Sequence, residues 1–429
     1  MGISFNRANH ALIHPLTLFI SVWALCFLLY AMHLSGLLVF KTVEAGRMVW
    51  WIIAPFAVAN VIFNIFYAIS PKTPSRISGK VIDDEAYLER IERNLDWWFR
   101  CWIALTAVEV VFSGGVPIVW LLFGSSKIYD NFGLPFIHVF VSSLLSVLAL
   151  AKLGLYLLRG DRHRLFIPIF QLLWSMVIVS RGVMITALIQ GVVLWLCIKG
   201  TNLKILFRTT VIFIAAVFLF GYVGDARSGA DYFRGLADPT ANYPDWMPSG
   251  VLWAYVYITS PLGNLVNTSF ISKPSYDVLF PHTIYGLFPN PIKDVIYGKD
   301  FEYETRGDMV NAGLGVSSAY IGPYRDNGYT GIACFSILIG IISAYFWKKR
   351  RTLRGQLLYS IMAECLVFTV FFNFLFYTPF LGQFIWIYLL FTRKTFRIFP
   401  RVNRLSTSVM PAEPATALQP DPYREVSHA

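Results

Sequence analysis

Charge is what this sequence has least of. Only 14 % of its 429 residues are Asp, Glu, Lys or Arg, where a soluble chain carries about 25 %. That shortfall excludes an ordinary soluble globular protein. Cysteine is sparse as well. Cys26, Cys101, Cys197, Cys334 and Cys365 all fall in apolar stretches and no CxxC occurs, which argues against a disulfide framework and a zinc site. No Walker A, GxGxxG, HExxH, DxD or Cys/His cluster is present. Nucleotide-sugar and metal-dependent schemes therefore lack support, and no cofactor or metal is expected. Residues 15–33 do not read as a cleavable signal, because the apolar run is long and no small-x-small site follows it.

What the chain has instead is apolar length. It is 56 % hydrophobic with a mean hydropathy of +0.56. Many runs approach the twenty residues that a membrane-crossing helix needs. The expected fold is an all-α polytopic membrane protein of about ten spans. They lie near 15–34, 48–69, 95–113, 135–158, 165–180, 183–199, 207–224, 327–347, 357–376 and 379–395. The segment from Lys72 to Asn94 is charged, and its second half has helical spacing, which predicts an interfacial or soluble helix. Pro117–Gly124 is too short to cross and predicts an interfacial or re-entrant element. Lys152 near one end of the fourth span is expected to snorkel.

The cations decide the orientation. The net charge of +11 does not indicate nucleic acid, because Lys and Arg sit in short blocks between spans. With the N-terminus in the cytoplasm, the inner segments hold Arg7, five cations in 72–93, three in 159–164, three in 199–208, five in 348–354 and six after 392. The outer short loops hold only Lys41, Arg47, Lys127 and Arg181. Both termini are then cytoplasmic by the positive-inside rule, from which long loops are exempt. The layout is 1–224 with seven spans, a large periplasmic loop over 225–326, three spans over 327–396, and a Ser/Pro/Ala-rich tail over 397–429 that reads as disordered.

The large loop is where chemistry is expected, since a loop of that length is usually functional. It carries Arg227, Arg234, Arg306 and Arg325, with Asp225, Asp231, Asp308, Asp326 and His282. Guanidinium groups grip phosphate through paired hydrogen bonds. Arg181, in a tight apolar hairpin at the outer face, reads either as a phosphate clamp or as a cap on the preceding helix. The loop arginines read either as a diphosphate site at the membrane rim or as surface ion pairs of little energetic weight. Asp326, Asp225 and His282 are the candidate general bases, against the plainer reading of solvated loop residues. Tyr255 and Tyr257 lie in an aromatic run that could stack on sugar rings or anchor at the interface. Glu109 and Glu364 fall inside spans. Intramembrane carboxylates are functional by default, but Glu109 is close enough to the outer end to reach water, and Glu364, deeper and able to pair with a polar neighbour, reads equally as structural or as part of a transport path.

Several of these pieces resemble the Wzy-type O-antigen polymerases, or oligosaccharide repeat unit polymerases. The likeness is carried by Gly114-Gly-Val-Pro117 with Phe132-Gly-Leu-Pro-Phe-Ile-His138, by Ser180-Arg181, and by Tyr257-Ile-Thr-Ser-Pro261. It is carried also by the segment from Asn311 through Tyr324-Arg-Asp-Asn-Gly328 to Gly331, where Asn327 stands in place of the family's Phe. The resemblance implies a GT-C-like helical fold in the bacterial inner membrane with a periplasmic active site. It also implies an inverting, metal-independent glycosyl transfer in lipopolysaccharide biosynthesis. The growing glycan would leave undecaprenyl diphosphate for a lipid-linked repeat unit. Diphosphate binding would then fall on Arg181, Arg227, Arg234, Arg306 and Arg325, and sugar binding on Tyr255, Tyr257, Asn311 and Tyr324. The implied partners are the lipid-linked donor and acceptor, membrane lipid and a chain-length regulator protein. An O-antigen ligase has a similar layout, and a non-catalytic flippase is the alternative from another class.

Overall fold

The computed structural model describes residues 10–38, 41–69, 85–127, 131–200, 237–288, 290–298, 301, 307–311 and 314–391, with isolated positions between 207 and 235. The expected span over 207–224 and the tail lie outside the described residues. The described chain through Phe391 forms one compact helical unit, and no β-strand occurs among the described residues. Its longer helices are α1 (Pro15–Tyr30), α2 (Thr42–Ile69), α3 (Glu85–Ser113), α5 (Ile137–Arg159), α6 (Phe166–Val177), α7 (Arg181–Lys199), α8 (Ser249–Ile271), α11 (Ile321–Lys349), α12 (Leu353–Phe368) and α13 (Thr378–Leu390). Three short ones stand between them: α4 (Pro117–Leu122), α9 (Pro281–Ile284) and α10 (Asn290–Ile296).

Among the described residues, five stretches are long and apolar enough to cross a membrane: α2, α3 continued into α4, α5, α7 and α11. The molecule is thus an α-helical membrane protein by length and composition. At about 1.5 Å per residue, the 12-residue α6 is ~18 Å long, so its regular helix covers only part of a ~30 Å core. Burial separates the spans by role. Of the most apolar stretch of α5, 78 % is buried, against 22 % for α2 and 28 % for α7. Helix α5 is therefore the axis of its half of the bundle, packed by α3, α6, α7 and α13, while α2 and α7 show a face to lipid. Helix α11 lies along α2, and a glycine permits it: a Cβ on Gly340 would come within 2.9 Å of the Phe56 carbonyl oxygen. Asn60 Nδ2 donates to Gly340 O at 3.3 Å. Trp23 ties α1 to α12 by donating from Nε1 to Thr369 Oγ1 at 3.0 Å.

Three expectations are corrected. The charged half-segment before the third span is no separate interfacial helix, because α3 runs unbroken from Glu85 to Ser113. Lys152 does not snorkel. It is buried and bonds Asp96 Oδ1 at 2.6 Å and Glu92 Oε1 at 3.6 Å. Glu109 does not reach water; it is 1 % exposed and faces His138 Nδ1 at 3.2 Å. The large loop contains α8, a 23-residue helix without one charged side chain. Polar residues disguise it in the sequence. Inside the fold, Thr259 and Thr268 donate to their own helix's Tyr255 O and Asn264 O, both at 2.8 Å. Asn264 is fully buried, donates to Leu314 O at 3.1 Å and Val316 O at 2.8 Å, and accepts from Val310 N at 2.9 Å. One side chain thus satisfies three backbone groups of the returning loop, as buried polar groups require.

The two ends of the bundle differ. One carries Arg159, Arg164 and Lys199 and is called here the basic end. The other carries the start of α2, α7, α11 and α13 and is covered by α8 and α9. Cys26 Sγ bonds Ile258 O at 3.4 Å, and Leu34 N donates to the Tyr255 hydroxyl at 3.1 Å, which seats α8 over the exit of α1. Thr378 Oγ1 donates to Gly286 O at 3.1 Å and seats the α9 segment over the start of α13.

Candidate functional site

The covered end is organised by a break in α11. Asn327 (φ −144°, ψ 25°) and Gly328 (φ 59°, ψ −140°) interrupt the helix just inside its start. Gly328 sits in the left-handed φ range that a side chain disfavours. Beside the break stand the Arg325 and Asp326 carbonyls. The extended segment after α8 takes them up: Ser275 N donates to Arg325 O at 2.8 Å and Asp277 N to Asp326 O at 3.2 Å. Asn327 Nδ2 returns a bond to Asp277 O at 3.0 Å. The first turn of α11 is therefore clamped to the loop, and the rest of the helix continues as the span.

This joint accounts for the motif around Tyr324–Gly331. Asp326 is fully buried, and its carboxylate accepts from His282 N at 3.0 Å, Thr283 N at 2.8 Å and Thr283 Oγ1 at 2.5 Å. It holds the turn that opens α9, the work of a capping carboxylate. With no exposed surface it cannot meet an acceptor hydroxyl, so the expectation that Asp326 is the general base is corrected: it positions His282. Tyr324 is 6 % exposed, its hydroxyl donates to Ser269 O at 3.3 Å, and its ring meets Tyr329 edge-on. Gly331 permits a close crossing, since a Cβ there would lie 1.9 Å from Pro323 O.

The sugar-binding expectations fare unevenly. Tyr255 is 4 % exposed and packs with Leu38, Leu252 and Leu314, so its ring cannot stack on a sugar. Tyr324 is excluded for the same reason. Tyr257 projects from the opposite side of α8 and is 59 % exposed. Asn311 is exposed in the loop that returns under α8. His282 is half-buried and stacks on Phe301 with ring centroids 4.8 Å apart, beside Tyr285 and Tyr297. Burial pushes the Tyr297 hydroxyl above its usual pKa.

The diphosphate candidates separate into two places. Arg325 donates from Nη2 to Asp308 Oδ2 at 3.2 Å and to Ser272 Oγ at 3.3 Å. Arg181 is the first residue of α7, exposed, and forms no hydrogen bond or ion pair with a described residue. It belongs to a helix packed mainly on α5, α6 and α12, whereas Arg325 stands where α9 and α11 meet α2 and α8. Arg227, Arg234 and Arg306 lie outside the described residues.

Two cations were missed in the sequence as site residues. Arg47 is 60 % exposed, 3.7 Å from Glu44 Oε2 and 4.8 Å above the Tyr329 ring. Tyr329 in turn donates to Glu44 and packs on Trp51 at 5.7 Å. Lys41 Nζ stands 3.3 Å from the Phe270 ring centre. In the sequence both are topology markers, although each breaks the scarcity of outer-loop cations as plainly as Arg181 does. Below Arg47, Trp51 opens a lipid-facing groove of about 540 Å³ between α2 and α11, lined by Trp50, Pro55, Ile62, Phe66 and Ile341 among others. Arg47, Tyr329 and Trp51 therefore link a cationic surface directly to an apolar channel.

No group of three or more His, Cys, Asp or Glu side chains capable of holding a metal occurs among the described residues. No family model, no curated protein and no solved structure matches this chain.

Proposed function

We propose that this protein is an inner-membrane polysaccharide polymerase of the O-antigen kind. It moves a growing glycan from undecaprenyl diphosphate to a lipid-linked repeat unit at the periplasmic face. In this reading it has about ten spans with both termini cytoplasmic, and the covered end is periplasmic. The observation that carries the reading is the pair of separate cationic places at that end. One joins Lys41, Arg47 and Arg325 to an apolar groove, and the other is Arg181. A polymerase handles two lipid diphosphates at once, a donor and an acceptor. A ligase that passes glycan to lipid A core handles one.

The chemistry follows from charge. The acceptor hydroxyl oxygen attacks the anomeric carbon of the donor, the bond from that carbon to the diphosphate oxygen breaks, and the lipid diphosphate leaves with the electron pair. Negative charge gathers on the leaving group, and fixed guanidinium groups at the membrane rim stabilise it without reorganising. His282, held in place by Asp326 through its backbone, is the group proposed to take the acceptor's proton. The donor is already activated, so no ATP is needed.

One observation favours a non-catalytic transporter as the second reading. Glu364 is 1 % exposed in α12 and accepts from Gln190 Nε2 at 2.5 Å, and Gln190 also donates to Gln383 at 2.8 Å. Such a buried polar group in a bundle marks ion or substrate paths. Purified protein in liposomes with lipid-linked repeat units separates the readings. A ladder of glycan lengths is expected. A single transfer to lipid A core would assign a ligase, and translocation with no new glycosidic bond would assign a flippase. Arg181→Ala is expected to shorten the ladder, and Arg181→Lys to restore little of it, because an ammonium cannot make the paired contact.

A further inference from the structure

A second groove of about 540 Å³ opens between α5, α6 and α7, away from the covered end. Its shape follows from the helices. Gly191 lets α7 close on α5, where a Cβ would come within 3.2 Å of Leu153 Cδ2. The short α6 leaves a gap beside that contact. The walls include Leu153, Ile169, Leu172, Leu188 and Val192. Ile169, Leu188 and Val192 are each about half exposed, so apolar surface faces an open channel.

The two ends of the groove differ. Its inner end holds Gln171, Ser146 and Gln190, and their polar atoms have partners. Gln171 Nε2 donates to Ser146 Oγ at 3.1 Å, and Gln190 is bound to Glu364 and Gln383. Nothing there calls for a polar ligand. The mouth holds Gly160 and Lys199 at the basic end. The neighbouring Arg159 and Arg164 are bound to Glu92, whereas Lys199 is exposed and has no ion pair or hydrogen bond with a described residue. From Ala187 to Lys199 the groove runs ~18 Å at the helical rise, close to one leaflet's share of a ~30 Å hydrocarbon core.

We propose that this groove holds one acyl chain of an anionic phospholipid, with the lipid phosphate on Lys199. The length fits an acyl chain confined to one leaflet. The unneutralised cation stands where that leaflet's headgroups lie, and it selects an anionic lipid over a zwitterionic one. A chain in the groove fills the gap that the short α6 leaves and bridges α6 to α7. The proposal does not depend on the glycosyl-transfer reading, whose groove lies on α2 and α11.

Native mass spectrometry of the full chain in detergent, with phosphatidylglycerol, phosphatidylcholine or undecaprenyl phosphate added, tests it. The expected result is one tightly retained phosphatidylglycerol per chain and weaker retention of phosphatidylcholine. Lys199→Glu should lower phosphatidylglycerol retention about fivefold or more, and Lys199→Arg should keep it. Ala187→Trp, which fills the channel, should remove it. Lys199 is exposed, so its variants leave the core intact, and an unchanged melting temperature in lipid-free detergent confirms that each variant is folded. Equal phosphatidylglycerol retention by wild type and Lys199→Glu would overturn the proposal. So would retention of undecaprenyl phosphate in preference to phosphatidylglycerol.

Discussion

The basic end and the covered end both carry cations, but at the basic end Arg159 and Arg164, unlike Lys199, are bound into a network, whereas among the described cations of the covered end only Arg325, on Asp308, has a close carboxylate. At the basic end one carboxylate serves three. Glu92 accepts from Arg164 Nε at 2.7 Å and Nη2 at 3.0 Å, from Arg159 Nη1 at 3.0 Å, and lies 3.6 Å from Lys152 Nζ. Arg159 also bonds Glu85, and Arg164 bonds Asp161. Glu92 on α3 thereby locks α5 and the turn before α6, and it raises the Arg164 pKa above its usual value. Elsewhere at this end, Arg350 lies 3.3 Å over Trp347, and burial lowers its pKa to about 10. At the covered end Arg181 has no described partner, Arg47 has a single distant one, and Lys41 has only a ring. Cations that carboxylates neutralise hold helices together, and cations left exposed beside an apolar groove remain available to an anionic ligand. The count of Lys and Arg per loop does not reveal which use applies.

The largest effect is expected where the basic end loses its anion. Glu92→Gln removes the carboxylate that Arg159, Arg164 and Lys152 share, at a site only 15 % exposed, and leaves each with one other acid, Glu85, Asp161 or Asp96. Removing one member of a buried ion group costs about 3–5 kcal/mol, so thermal unfolding in detergent should show a large drop or the protein should fail to accumulate. Wild-type melting would show that the network holds nothing together.

The covered end should instead fail when it loses a cation. Under the proposed polymerase reading, Arg47→Ala is expected to fold normally and to slow repeat-unit addition about a hundredfold, the scale of one preorganised charge-stabilising contact. Rates measured on reconstituted protein decide this, and an unchanged rate would reduce Arg47 to a surface ion pair. Gly328→Ala comes next. Its φ of 59° and the Pro274 Cγ that would lie 3.2 Å from a new Cβ make a cost of about 1–3 kcal/mol the expectation. Hydrogen exchange should then quicken over 272–284, the segment that the break in α11 clamps. Uniform exchange there would mean that the joint is not under that control.

The smallest effect is one of pH at the basic end. His14 caps α1, accepting from Leu16 N at 3.3 Å, and packs edge-on against Trp347. Burial first, then Arg350 and Lys348, lowers its pKa from the ordinary 6.5. The native state therefore favours the neutral ring, and the unfolded state binds the proton more readily. The cap is intact above pH 6.5, and its stability is lost as pH falls below that value. Hydrogen exchange at residues 10–18 should rise between pH 7 and pH 5, and a flat profile would remove His14 from the account.

The sequence by itself determined the class of the molecule. Low charge and long apolar runs leave the chain no stable state outside lipid, and that argument needs no partner residue. The tight Ser180-Arg181 hairpin was legible for the same reason, since a polar pair between two apolar runs must turn. Only the tertiary structure decided what the charged and polar side chains do. Thr259, Asn264 and Thr268 look like loop residues until the carbonyls they serve come into view. Asp326 looks like a base until its burial appears, and Tyr255 looks like a sugar platform until the core closes over it. Arg47 became a candidate only when Tyr329 and the groove along α2 and α11 were placed beneath it. Apolar burial depends on a residue's own surface, whereas the role of a polar group depends on which distant atom reaches it, and that is set by how the helices pack.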